Sequence, residues 1–395
     1  MAKPKLALIP AAQGSKFYSV LPSSGVGDFN FTRSGSATRI NSQGLIETVA
    51  NGVSRLNYPM IDGVVKGCPS HILEPQRTNL VTQSNNFTGW FKSGAITVTS
   101  NYGLSPTGEN NSTLLSFSGA NNRLYLNTGA AYTNDSVSIY VKGNNGETIS
   151  FDKSASIGGA KLFTLTGGWD RLESSYDSLS SSRVNIVIST NGGATATNIE
   201  VFGIQNEQGS YATSYIPTNG STVTRSAETA NGSGDASTFN DSEGVLMVEA
   251  SAFEGANTDR QIAISDGGTS NRIVMAFLSN NTQIQFVVVN GGPPTVNSTR
   301  TIDTITDLTK ITFSYKVNDF KVYVNGFLIL TDTNGAVPSG LNELAFDRGD
   351  GADNFYGNTK QIQYFDTALT DSELEQLTSW VSFQDMAEGQ LYTIE

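Results

Sequence analysis

The residues that most often carry catalysis or hold metals are scarce in this chain: it has one histidine, His71, and one cysteine, Cys68. A single cysteine excludes an intrachain disulfide and any multi-cysteine metal cluster. A single histidine excludes the His-Glu-x-x-His metal pair and confines a histidine-based triad to one point. His71 therefore reads as a structural or surface residue, and Cys68, before Pro69, as a small, partly buried filler. The chain has no Gly-x-Ser-x-Gly elbow, and no phosphate-cradling glycine loop follows a strand. A glycoside hydrolase would need only two carboxyl groups about 5 to 10 Å apart. No strand places a close acidic pair on one face, since Glu200 stands alone and Glu207 follows seven positions later. No catalytic residue is assigned, and the expectation is a protein that is not an enzyme.

Two other chemistries fit the residue types. In Asp347-Arg-Gly-Asp350-Gly-Ala-Asp353, carboxylates alternate with glycines. Such a loop can wrap a hard cation, Ca2+, through oxygen ligands. It lacks the full EF-hand pattern, Arg348 offsets part of its charge, and a solvated turn is the alternative. Asp259 and Asp266 are weaker candidates. Sugar recognition needs rings to stack on the apolar face of a pyranose and polar groups to meet its hydroxyls. Trp90, Tyr125 and Tyr140 can supply rings and Asn122 an amide, with Phe91, Tyr102 and Trp169 as further aromatic candidates. Tyr140 lies opposite the apolar side of its strand, so it is expected to be exposed.

The overall charge narrows the partners. With 24 basic and 36 acidic residues the formal net charge is -12. No basic patch is visible, so neither nucleic acid nor an anionic membrane is an expected partner. Neutral glycans, cations and proteins fit better. The apolar run Leu6–Ile9 is too short for a secretory leader, and no apolar stretch is long enough for a membrane span, so membrane insertion is not expected.

The elements that must position these residues read as strands. Glycine reaches 40 of 395 residues, and turn signals recur between short alternating runs, which points to an all-β chain. Residues 1–84 look like an irregular attachment or packing segment with too few apolar residues to fold alone. In 85–225, Val137, Ile139 and Val141 alternate with polar neighbours, as do Val184, Ile186 and Ile188, the pattern of an antiparallel sandwich or jelly roll. Residues 226–242 lose the pattern and read as a linker. In 243–383 a second sandwich is expected. Its clearest hairpin runs from Ile311 through Asn318-Asp319 to Val324, with Asn325-Gly326 as the next turn. Thr370 and Glu373 form a capping box, with Leu369 and Leu374 as a hydrophobic staple, for one short helix ending near Trp380 and apolar along Leu374, Leu377 and Val381. Residues 384–395 read as a tail.

Longer strings add a resemblance. Phe31-Thr-Arg33-Ser-Gly-Ser-Ala-Thr-Arg39, Asn41-Ser-Gln-Gly-Leu-Ile-Glu47, Ser54-Arg-Leu-Asn-Tyr58 and Leu73-Glu-Pro-Gln-Arg77-Thr-Asn-Leu80 lie in the first part. Phe202-Gly-Ile-Gln-Asn-Glu207, Gly209-Ser-Tyr-Ala-Thr-Ser-Tyr-Ile-Pro-Thr218 and Val223-Thr-Arg225 complete them. Together they resemble a family of tailed-phage structural proteins found in tail fibres and in head-attached fibres or spikes. The middle region resembles a carbohydrate-binding-module-like jelly roll. Residues 243–383 look like a concanavalin A-like, laminin-G-like lectin domain, on Lys321-Val-Tyr-Val-Asn-Gly326 and Phe365-Asp-Thr-Ala-Leu-Thr-Asp-Ser-Glu-Leu374. The resemblance implies a virion-surface protein with other virion proteins as partners. It leaves a trimer or another homo-oligomer open. Binding of cell-surface glycans is the leading expectation. A purely structural decoration and a polysaccharide depolymerase are the alternatives.

Overall fold

The computed structural model describes residues 2–61, 63–129, 132–154, 161–176, 184–254 and 258–381. They are almost entirely β, with one short α-helix among them. The expected tail at 384–395 lies outside the described residues. No described helix is long and apolar enough to cross a membrane.

The first sandwich packs two five-stranded antiparallel sheets face to face. In one, Asp135–Lys142 pairs with the central strand Asn198–Gln208 on one side and with the edge strand Asp170–Tyr176 on the other. In the facing sheet, Asn185–Ser189 lies between Arg123–Asn127 and Thr148–Ser154. The two-residue alternation decides what lies between them: Val137, Ile139, Val141, Ile186, Ile188 and Phe151 are all buried in one core. Within Asn198–Gln208 the register slips opposite Ser138 and Tyr140. Gly203 sits at this bulge with φ of 66°, where Tyr215 would press against any Cβ at 3.1 Å.

The second sandwich draws on more of the chain than its own stretch. Its larger sheet has eleven strands, and Leu6–Gln13 lies inside it beside Gly357–Phe365. Lys16–Leu21, Phe29–Thr32 and Ser70–Leu73 join the same sheet. Residues 1–84, expected to be an irregular packing segment, thus contribute ordered strands. Leu6, Leu8, Phe17, Phe29 and Phe31 are buried in one core with Leu246, Ile262 and Phe286. Each such side chain stabilises by about 1.5–3 kcal/mol. The stretch 226–242, expected to be a linker, contains Thr229–Asn231, whose Ala230 pairs with Phe31. The smaller sheet runs Pro294–Thr301, Gln283–Asn290, Asn271–Phe277, Arg260–Ser265, Glu343–Ala345.

The first sandwich is therefore an insertion. The chain leaves the second sandwich through Arg77–Asn79 and returns through Val223–Arg225, and these two segments pair antiparallel as a ribbon. Beside the ribbon lies a buried charge network. Glu228 takes Arg33 at 2.8 Å and also Arg55, while Glu74 takes Arg55 and Arg225, each at 2.8 Å. Glu74 further accepts from the Ser214 backbone at 2.7 Å. Burial opposes its charge, but Arg225 and Arg55 outweigh that and bring its carboxyl down to about 2. Arg33, Arg55, Glu74 and Arg225 come from the strings that carried the resemblance, and Glu228 lies three residues past the last of them, so those strings are used to join the two sandwiches.

Local signals at the C-terminal end place the hairpin and the helix, with their bounds shifted by a residue or two. The hairpin turn falls one residue earlier than the expected Asn318-Asp319: Lys316 pairs with Asp319, so Val317 and Asn318 make the turn, and Asn318 takes φ of 58°. The helix spans Asp371–Thr378 with the Thr370–Glu373 capping box formed, and Leu369 and Leu374 share a small core with Phe365. It stops earlier than expected because Ser379 is already extended, which leaves Val381 91% exposed and off the apolar face. Cys68, expected to be partly buried, is exposed.

Candidate functional site

The ring and amide residues proposed for sugar binding do not converge. Trp90 is only 5% exposed and packs on Phe87, with ring centroids 5.2 Å apart, inside the first core. It is a core residue, not a platform. Tyr140 does point away from the Val137, Ile139 and Val141 side, but it too is buried, at 9% exposure. Ile46 from the Ile46–Val49 strand, Phe202 and Tyr215 cover it. The sequence pattern identified the face correctly and gave no sign of the segment lying over it. Asn122 is buried, and its amide donates to Gly119 O at 2.9 Å and Ala95 O at 3.4 Å. It holds a turn, leaving little capacity for a sugar hydroxyl.

Tyr125 is the exception. It is half-buried and stacks on Phe91, which pairs with it across the neighbouring strand. Their centroids are 5.4 Å apart, and Phe91 is 58% exposed. This pair is an exposed aromatic surface on the first sandwich.

The aspartate loop closes on itself. Arg348 bonds Asp350 at 2.8 Å and Asp353 at 3.1 Å. Asp347 is buried and accepts from the Gly349 backbone at 2.6 Å. Burial raises the Asp347 carboxyl, while Arg348 lowers that of Asp350. Among the described residues, no three His, Cys, Asp or Glu side chains are grouped to hold a metal. Arg348 thus already supplies a cation to two of the three aspartates, Asp350 and Asp353.

A concave feature lies where the inserted sandwich, the N-terminal strands and the second sandwich meet. It is a cleft of about 780 Å³, within the range of small-molecule sites. Trp169, Tyr58 and Phe253 bring half-buried rings to its walls, one from each of these three parts of the chain. Asn57, Thr213, Asn358 and Lys360 add polar groups. Trp169 is fixed by its Nε1–H, which donates to Leu104 O at 3.2 Å. Arg171 lies over the Tyr140 ring at 5.5 Å and pairs with Glu173 at 3.3 Å. Partial desolvation raises the Glu173 carboxyl against the pull of Arg171. The cleft thus combines ring faces with donors and acceptors of both signs. Trp169 was legible as a candidate ring. Phe253 and Tyr58 were not, because only the insertion topology brings positions so distant in sequence together.

Comparisons with known proteins cover part of the chain. Residues 252–375 match the family model of the concanavalin A-like lectin/glucanases superfamily. Among solved structures, the carbohydrate-binding module of the Ruminococcus gnavus IT-sialidase, bound to α2,3-sialyllactose, is 16% identical. That match covers 37% of this chain and 92% of the module, with a TM-score of 0.31. Domain 4 of an extracellular arabinanase from Geobacillus stearothermophilus, in complex with arabinotriose, is 16% identical over 39% of this chain and 73% of its own, with a TM-score of 0.33. A leech intramolecular trans-sialidase is 16% identical over 36% of this chain and 24% of its own, with a TM-score of 0.31. No curated protein matches the chain.

Proposed function

We propose that this chain is a surface protein of a phage virion that binds cell-surface glycans without cleaving them, with the junction cleft as the binding site. The observation that carries the glycan reading is the convergence of Trp169, Tyr58 and Phe253 with polar groups in one cleft of about 780 Å³. Rings meet the apolar face of a sugar, and Asn57, Asn358 and Lys360 meet hydroxyls. The match of residues 252–375 to a lectin/glucanase superfamily supports the same reading at the level of fold. The virion placement is supported by the resemblance of the strings at 31–80 and 202–225, and carries other virion proteins as partners. A homo-oligomer such as a trimer would present several clefts at once, so that modest single-site affinity suffices.

The test is a glycan array with the wild-type chain and Trp169→Ala, followed by incubation of each hit with the protein and measurement of new reducing ends. Binding by the wild type, weakened by about tenfold in a folded Trp169→Ala chain, supports the reading. Equal binding by the two removes the cleft as the site. New reducing ends that disappear in Glu173→Gln would replace a binding protein with a depolymerase.

A further inference from the structure

A second pocket, of about 410 Å³, opens between the inserted sandwich and the second sandwich. Arg77 and Arg260 both line it, with Tyr356, Asn134 and Gln208. Arg260 is 4% exposed. Its Nη1 donates to Thr258 O and Oγ1, each at 2.7 Å, and its Nη2 to Glu254 O at 3.1 Å. Its Nε is buried and has no partner. Arg77 donates from Nη1 to Gln76 O at 3.2 Å, and its Nε is also buried without a partner. Among the described residues, neither guanidinium has a carboxylate oxygen within 4.0 Å. For Arg260 that is unusual, because buried cations are ordinarily paired; Arg77 is half-buried.

The rest of the pocket holds both side chains in place. Arg77 lies 5.2 Å over the Tyr211 ring and Arg260 lies 5.6 Å over the Tyr356 ring. Burial raises the Tyr211 hydroxyl pKa, while Arg77 and Arg260 pull it down. Gly209 leaves room for Arg77: a Cβ there would stand 2.7 Å from Nη2 and 2.8 Å from Nε. Two guanidinium groups in fixed positions, each with an unused N–H, match an anion that has several oxygens in a small space.

We propose that Arg77 and Arg260 form an anion subsite for the carboxylate or sulfate group of an acidic sugar. The sugar part rests on the glycan reading above; the anion part rests on the two arginines alone. The subsite restricts the ligand class from glycans in general to uronates, sialates or sulfated sugars.

The experiment uses the full chain, Arg77→Gln and Gly209→Ala, the latter displacing Arg77 while keeping its charge. Tri-galacturonate and its methyl ester, which is the same sugar without the charge, are titrated by calorimetry. Thermal unfolding is followed in sodium sulfate against sodium chloride at matched ionic strength. The expected result is that the acid binds at least about tenfold tighter than the ester, and that both variants lose this preference while still binding the ester as the wild type does. Stabilisation by sulfate in the wild type, absent from both variants, with no sugar bound by any of them, keeps the anion subsite and removes the glycan reading. Acid and ester bound equally, or a sulfate effect shared by all three chains, overturns the subsite.

Discussion

Arg77 and Arg225 stand opposite each other in the ribbon that joins the two sandwiches, yet only one of them is neutralised. Arg225 meets Glu74 at 2.8 Å and donates to Pro75 O at 2.8 Å. Among the described residues Arg77 has no carboxylate partner, and it lines a pocket instead. Like charges directly opposite in a sheet are unfavourable. The pairing is tolerated because Glu74 removes one of the two charges from the balance.

The network around Glu74 is therefore predicted to be a joint whose loss is felt throughout the chain. Replacing Glu74 by Gln leaves Arg225 and half of Arg55 without a counter-charge in a dry site. A loss of about 3–5 kcal/mol is expected, read as a lower denaturant midpoint. A midpoint within error of the wild type would show the network to be dispensable.

Acid should weaken the fold in two successive windows. His71 stacks on Phe17 with centroids 3.9 Å apart, and Ile9 O at 3.1 Å requires its Nε2 to carry the proton. Its Nδ1 is buried without a partner, and burial pulls the imidazole pKa down to about 4. The folded state resists a proton that the unfolded chain accepts, so stability is complete above about 6.5 and falls as pH drops towards 4. The full loss is roughly 3 kcal/mol. Glu74, at about 2 when folded, contributes above the ordinary carboxylate value and loses that contribution as pH falls from there towards 2. Urea unfolding from pH 7 to 4 should show the first window in the wild type and a flatter curve in His71→Leu.

The two rings proposed from sequence should separate by phenotype. Trp90→Ala empties a core position and is expected to cost about 3–5 kcal/mol. Tyr125→Ala removes one side of an exposed stack and should cost about 1 kcal/mol. Equal costs in chemical denaturation would contradict the burial seen here.

Calcium in the millimolar range should leave the melting temperature unchanged, because Arg348 already holds Asp350 and Asp353. A rise reversed by chelator, and abolished by Asp350→Asn, would return the loop to the list of cation sites.

What could be read from the sequence was local. The alternation at Val137, Ile139 and Val141, the Asn318 and Asn325-Gly326 turns and the Thr370–Glu373 box each state their own conformation, and the backbone follows. What could not be read was which distant segment completes a surface. Leu6 pairs with Tyr364, and nothing within either strand encodes that register. The same gap misplaced Tyr140: the face was right, but Ile46 covers it from a strand nearly a hundred residues earlier. Asn122 looked available because turn asparagines usually are, whereas its amide is used on Gly119 and Ala95. Arg77 lay within a string noticed only for its resemblance, and its missing counter-charge is a property of space.

The strand Leu6–Gln13 has a consequence for how the molecule is made. It leaves the ribosome long before its inner neighbour in the sheet, Gly357–Phe365. Until that late strand emerges, Leu6 and Leu8 have no closed sheet to enter. The inserted sandwich, complete by Gln208 apart from its returning ribbon, can fold long before. Synthesis thus produces a finished domain first and leaves an open, apolar strand edge waiting on it. A nascent chain halted before residue 357 should expose that edge, and holdase chaperones should bind it there.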